Sequence, residues 1–135
     1  MFQFETNIRV TYADTDQMGY VYYGNYARFY EIARTESIRS LGATYKALEE
    51  AGVMMPVLEN HSKYHAPAHY DEVLTVKVRV EQKPMVKIWF HYEIYNENAE
   101  LINSGSTLLA FVDMKSGRPC RMPEYLDRVL SPYFD

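Results

Sequence analysis

The stretch Asn25-Tyr26-Ala27-Arg28-Phe29-Tyr30-Glu31-Ile32-Ala33-Arg34-Thr35-Glu36-Ser37-Ile38-Arg39-Ser40-Leu41 decides the fold. Tyr26, Phe29, Tyr30, Ala33, Ser37, Ser40 and Leu41 recur at i, i+3, i+4 and i+7, while Arg28, Glu31, Thr35 and Arg39 gather on the opposite side. The spacing predicts an amphipathic helix of about four turns. Its buried stripe passes from large aromatics to Ala33, Ser37 and Ser40. Small residues let another backbone come close, as a sheet wrapped around the helix requires. Gly42 supplies a stop, and a short second helix is expected over residues 44–50, closed by Gly52.

Working outward, the neighbouring segments change period from 3.6 to 2. Before the helix, Phe4, Thr6, Ile8, Val10 and Tyr12 alternate with Glu5, Asn7, Arg9 and Thr11, the pattern of a strand with one buried face. Residues 13–24 have two aspartates, two glycines and a Tyr-rich run without period, which reads as an ordered loop. After the helices, extended segments are expected at residues 53–64, 72–82, 86–95 and 101–112. Leu74, Val76, Val78 and Val80 alternate with polar neighbours, as do Val86, Ile88, Phe90, Tyr92 and Ile94. Hairpin turns at residues 82–85 and 96–100 join them into an antiparallel meander, Gly105 marks a bulge, and three prolines punctuate a short tail. The expected order is β-α-α-β-β-β-β, an α+β architecture with one long helix on one antiparallel sheet.

Nothing interrupts this pattern, so residues 1–135 are read as a single domain, a length at which one core suffices. A net charge of −4 leaves no basic footprint for nucleic acid. Cys120 stands alone, which excludes an internal disulfide and an all-cysteine metal site and suits a reducing compartment. The amino terminus has no basic, apolar leader, and no run of about 18 apolar residues occurs, so membrane insertion is not expected. The expected localisation is cytoplasmic. His61, His65 and His69 fall four apart, but Pro67 and the extended pattern spread them too far for one ion, so no metal is expected.

The segment from Tyr12 to Tyr26 holds Asp14, Asp16, Gly19, Val21, Tyr22, Tyr23 and Tyr26 at fixed spacing. It resembles the amino-terminal signature of the hotdog-fold thioesterases related to 4-hydroxybenzoyl-CoA thioesterase and the Tol-Pal-associated acyl-CoA thioesterases. The resemblance continues through Phe29, Glu31, Arg34 and Glu36, then Pro56 to Glu59, Tyr64, and Pro67 to Leu74. It implies a hotdog fold, a long helix wrapped by a curved sheet. It also implies a homodimer or homotetramer with active sites at the dimer interface, and hydrolysis of an acyl thioester of coenzyme A or an acyl carrier protein. The thioester is the substrate, and no separate cofactor is implied.

Thioester hydrolysis needs an attacking oxygen and a group to hold charge on the carbonyl oxygen. Asp16 supplies the first, either attacking the carbonyl or acting as base on a water. The second falls to backbone amides at the start of the long helix, where the first N–H groups lack helical partners. The resemblance gives this role to the amide of Tyr23, with Gly24 allowing close approach. Gly19, Val21, Tyr22, Asn25 and Tyr26 are the accompanying substrate-binding candidates, although Asn25 also suits a helix cap and the tyrosines also suit a core. Asp14 is a secondary candidate, since Asp-Thr-Asp is equally a turn or capping motif. Glu31 is read as pairing with Arg34 or Thr35, and Glu36 with Arg39 or Ser40, on an exposed helical face. The rival readings on the same fold are a non-catalytic acyl-carrier-binding scaffold and a dehydratase, whose loop signature differs.

Overall fold

The computed structural model describes residues 1–134. Its elements follow in the order β1 (Phe2–Arg9), α1 (Asn25–Ser40), α2 (Tyr45–Glu50), β2 (Val53–Met54), β3 (Val57–Tyr64), β4 (Val73–Val80), β5 (Lys87–Tyr95), β6 (Leu101–Ala110), β7 (Val112–Asp113) and α3 (Glu124–Leu130). One antiparallel sheet has the order β1-β4-β5-β6-β3, and β2 pairs with β7 separately. Only β4, β5 and β6 form the expected meander. Strand β3 pairs with β6, not with its sequence neighbour β4, because the amides of His65 and Ala66 both donate to Ile102 O and turn the chain across the sheet.

The expected strand over residues 53–64 is split where Pro56 offers no N–H to a ladder. The expected strand over 101–112 is interrupted at Phe111, whose amide donates to Val86 O. The first strand begins earlier and ends at Arg9, so Phe2 is buried and Tyr12 is exposed, its ring stacked on Tyr70 at 3.8 Å. The tail is not merely punctuated: Pro123 opens α3, and Leu126 and Leu130, one helical turn apart, are fully buried.

Helix α1 lies on the sheet face formed by Leu74, Val76, Val78 and Val80 of β4 and Ile88, Phe90, Tyr92 and Ile94 of β5, all buried. Each such side chain contributes about 1.5–3 kcal/mol by leaving water. Facing them are Tyr26, Phe29, Tyr30, Ala33, Ser37 and Ile38, while Ser40 is exposed, contrary to the periodic reading. Arg34 also departs from expectation. It turns inward, 8% exposed, and donates from Nη1 to Tyr92 Oη at 3.1 Å instead of pairing with Glu31. Glu36 does pair with Arg39.

A polar seam joins helix and sheet. Tyr30 stacks on Tyr92 with centroids 4.2 Å apart, and the Tyr30 hydroxyl bonds Ser62 Oγ at 2.8 Å and Asn103 Oδ1. Tyr92 Oη donates to Thr107 Oγ1, which donates in turn to Asn60 Oδ1 at 2.8 Å. Gly105 is not at a register shift. It continues the ladder opposite Tyr92 and Ser62, and a Cβ there would lie 2.3 Å from the Tyr30 hydroxyl and 2.4 Å from His61 O. The glycine is required by that approach, not by a bulge.

The loop before α1 is tied by Asp14, which is 4% exposed. Its Oδ2 accepts from the amide and hydroxyl of Thr11, and its Oδ1 from Arg28 on α1. The Asp14 carbonyl accepts from the Tyr22 amide and from Asn25 Nδ2 at 2.8 Å each. Asn25 therefore bonds back to the loop and does not cap the helix, whose N-cap is Gly24.

Two stability measurements check these contacts. In equilibrium urea unfolding, Gly105→Ala is expected to cost about 1–3 kcal/mol. Combining it with Tyr30→Phe recovers little, because the His61 carbonyl remains in the way. Asp14→Ala is expected to cost about 0.5–2 kcal/mol by removing the carboxylate that accepts from the Thr11 amide and hydroxyl, with little from half-exposed Arg28.

Candidate active site

Between Thr15 and Val21, which form a bridge, the chain makes a tight turn. Asp16 N donates to Tyr20 O at 2.9 Å, and Gly19 N donates to Asp16 O at 3.0 Å. Gly19 has φ +79°, a conformation that a side chain disfavours, so its identity belongs to the turn. Asp16 itself is half-buried. Its Oδ1 accepts from Met18 N at 2.9 Å and Tyr20 N at 3.4 Å, and its Oδ2 has no partner among the described residues. The turn thus orients the carboxylate through one oxygen and leaves the other available.

Asp16, Val21, Tyr23 and Tyr26 line one open cleft of about 340 Å³. Gly19, Tyr22, Gly24 and Asn25 do not. Tyr22 is exposed and leans on the Tyr23 ring at 4.7 Å. A Cβ on Gly24 would stand 2.8 Å from the Tyr22 ring, so Gly24 makes room for that ring. At the head of α1 the amides of Tyr22, Asn25 and Tyr26 all find carbonyl acceptors, whereas those of Tyr23 and Gly24 have none among the described residues.

The rest of the cleft comes from Met18, Tyr20, Tyr64, His65, Ala66 and Pro67, which sequence reasoning did not assign to the site. The Tyr64 ring packs edge-on to Tyr26 at 5.5 Å and Tyr23 at 6.2 Å, and Tyr20 bridges to His69 in the main chain. The signal available was Tyr64 and Pro67 within the matched pattern. Their proximity to Asp16 depends on the Tyr20–His69 bridge, which no spacing reveals. Burial pushes the Tyr26 phenol up to about 12, so near neutral pH it is a neutral hydroxyl. The three histidines take separate partners: Glu59 for His61, Ser104 for His65 and Glu72 for His69.

The arrangement offers a carboxylate oxygen and unpaired backbone donors in the same region, with apolar and aromatic walls. Residues 10–130 match the thioesterase-like superfamily. The acyl-CoA thioester hydrolase YbgC of Escherichia coli O6:H1 is 32% identical over 121 residues, 90% of this chain and 90% of that one. The Haemophilus influenzae acyl-CoA thioesterase YbgC is 31% identical over 90% of this chain and 89% of its own. The solved DHNA-CoA thioesterase of Staphylococcus aureus superposes with a TM-score of 0.86 at 36% identity, covering 98% of this chain and 87% of that one. A 1,4-dihydroxy-2-naphthoyl-CoA thioesterase from Synechocystis, 21% identical, shares the fold with a TM-score of 0.90 and 96% coverage of both chains. The long helix on an antiparallel sheet is the hotdog fold, and the chain belongs to the thioesterase-like superfamily.

Proposed function

We propose that the chain hydrolyses acyl-CoA thioesters to a free acid and coenzyme A, with Asp16 as the essential carboxylate. The observation that carries this is Asp16 Oδ2 in the same cleft as Tyr23: among the described residues neither that oxygen nor the Tyr23 amide has a hydrogen-bond partner. The activities named for the two YbgC relatives support it.

The thioester carbonyl oxygen accepts from the Tyr23 amide, with Gly24 N–H beside it, at the positive end of α1. Asp16 Oδ2 either takes a proton from a water that adds to the carbonyl carbon, or adds to that carbon itself before water opens the anhydride. The tetrahedral intermediate collapses with cleavage of the C–S bond. The sulfur leaves as thiolate and ends protonated, and the acid takes the hydroxyl of the water. This chemistry needs no metal or prosthetic group.

The active form is a dimer joined through β3. That strand lies at a sheet edge, and seven of its eight residues are exposed, including Val57, Leu58 and Tyr64 at 48–54%. An eight-residue edge with apolar side chains and unpaired main-chain groups is a template for antiparallel pairing, and a second copy of the strand satisfies it.

The test is thiol release from a panel of short, long and aromatic acyl-CoA esters. Asp16→Asn keeps the wild-type melting temperature and loses about 10²–10⁴-fold in kcat. Equal rates for variant and wild type would sink the role of Asp16. Turnover by neither on any ester would favour a non-catalytic, carrier-binding scaffold.

A further inference from the structure

Asn25 heads α1 but does not line the Asp16 cleft, so its side chain is not placed to touch a substrate there. It turns back to the loop instead. Nδ2 donates to the Asp14 carbonyl at 2.8 Å, and the Tyr22 amide donates to the same oxygen at 2.8 Å. Between these two donors stand only Tyr23 and Gly24, the residues whose amides have no acceptor among the described residues. The Asn25 amide closes the span by donating to Tyr22 O at 2.9 Å. Both ends of the Tyr23-Gly24 segment are therefore fastened to one carbonyl oxygen.

That oxygen also belongs to the base of the turn that carries Asp16. Thr15 follows Asp14 directly and bridges to Val21, and the Asp16 amide donates to Tyr20 O at 2.9 Å. From Asp14 the chain runs two residues to Asp16 in one direction, and hydrogen bonds run to the helix head in the other. Asp14 is itself well anchored. It is 4% exposed, and its carboxylate is held by Thr11 and by Arg28, one turn along α1 from Asn25. Asn25 and Arg28 thus grip the carbonyl and the carboxylate of a single residue, which fixes the rotation of the helix as well as its approach to the loop.

The magnitudes favour a role in rate over a role in folding. A single neutral hydrogen bond adds little to stability, whereas a displacement of about 1 Å between reacting groups costs roughly 10²-fold in rate.

Resting on the proposed hydrolysis, we infer that Asn25 is a positioning residue. Acting through the Asp14 carbonyl, it sets the distance between the Tyr23 and Gly24 amides that receive the thioester oxygen and the Asp16 carboxylate that acts on the carbonyl carbon or its water.

The test compares kcat, KM and melting temperature of the wild type, Asn25→Ala and Asn25→Asp on the ester that the wild type turns over best. Asn25→Asp keeps the size of the side chain and loses the donor, while a negative charge at a helix start favours the fold. Thr11 and Arg28 still hold Asp14, so neither variant releases the loop. Both variants are expected to lose about 10–10²-fold in kcat with KM within about threefold of the wild type, and Asn25→Asp to do so at an unchanged melting temperature. A raised KM at wild-type kcat would make Asn25 a substrate contact, and a kcat that falls only in step with the melting temperature would make it a residue of the fold alone. Each of these results overturns the inference, as do wild-type values in both variants.

Backbone amide NMR supplies a readout that needs no turnover. In Asn25→Ala the resonances of Asp16, Met18 and Tyr20, remote in sequence from the substitution, are expected to shift or broaden while those of β4 and β5 stay in place. If the wild type hydrolyses no ester, such shifts uphold the coupling of helix head to turn, and the hydrolysis fails alone. Unmoved resonances of the turn overturn the coupling whatever the activity.

Discussion

The approach of Tyr30 to Gly105 sets the distance between helix and sheet. The phenol enters the space where any other residue would have a Cβ, and its hydroxyl is held by Ser62 and Asn103 on two adjacent strands. Its ring lies flat on Tyr92 from a third. The contact fixes α1 over β3, β6 and β5 together, and so fixes the position from which the helix head presents its unpaired amides. Polar bonds in a core are worth little individually, but each specifies a unique arrangement that apolar packing alone would leave degenerate.

The loop gains its order from a different device. Asp14 is consumed structurally: its carboxylate serves Thr11 and Arg28, and its carbonyl serves Tyr22 and Asn25. Asp16, two residues on, has one oxygen bound by its own turn and the other unbound. The same residue type has two fates because the first is enclosed between strand end and helix while the second faces the cleft. A carboxylate whose orientation is set by backbone amides needs no further reorganisation when a substrate arrives.

The parts of this structure governed by local period were legible in the sequence. Helix α1 and the alternation of β4 and β5 emerged from spacing, because one face of each is buried. Strand β3 lacks such a signal, since nearly all its residues are exposed in one chain, and its place beside β6 follows from a crossover that periodicity does not encode. Arg34 was placed on the wrong face because a charged residue on an amphipathic helix is ordinarily solvated. Only Tyr92 and Thr107, distant in sequence, explain its inward turn. Asp16 and Tyr23 were legible through a motif, whereas Tyr64 to Pro67 joined them only through tertiary pairing.

The sheet order also governs how the molecule assembles. Strands β4, β5 and β6 are joined by short turns and close their ladders at small entropic cost. Strand β1 must find β4 across the whole stretch from Arg9 to Val73, and β3 must find β6 across two intervening strands. Such distant pairings form slowly and late. The loop bearing Asp16 hangs between β1 and α1, and the other wall of its cleft follows β3, so the cleft takes shape only when both edges of the sheet have docked. A nascent chain can therefore hold a compact central meander while still lacking any competent site.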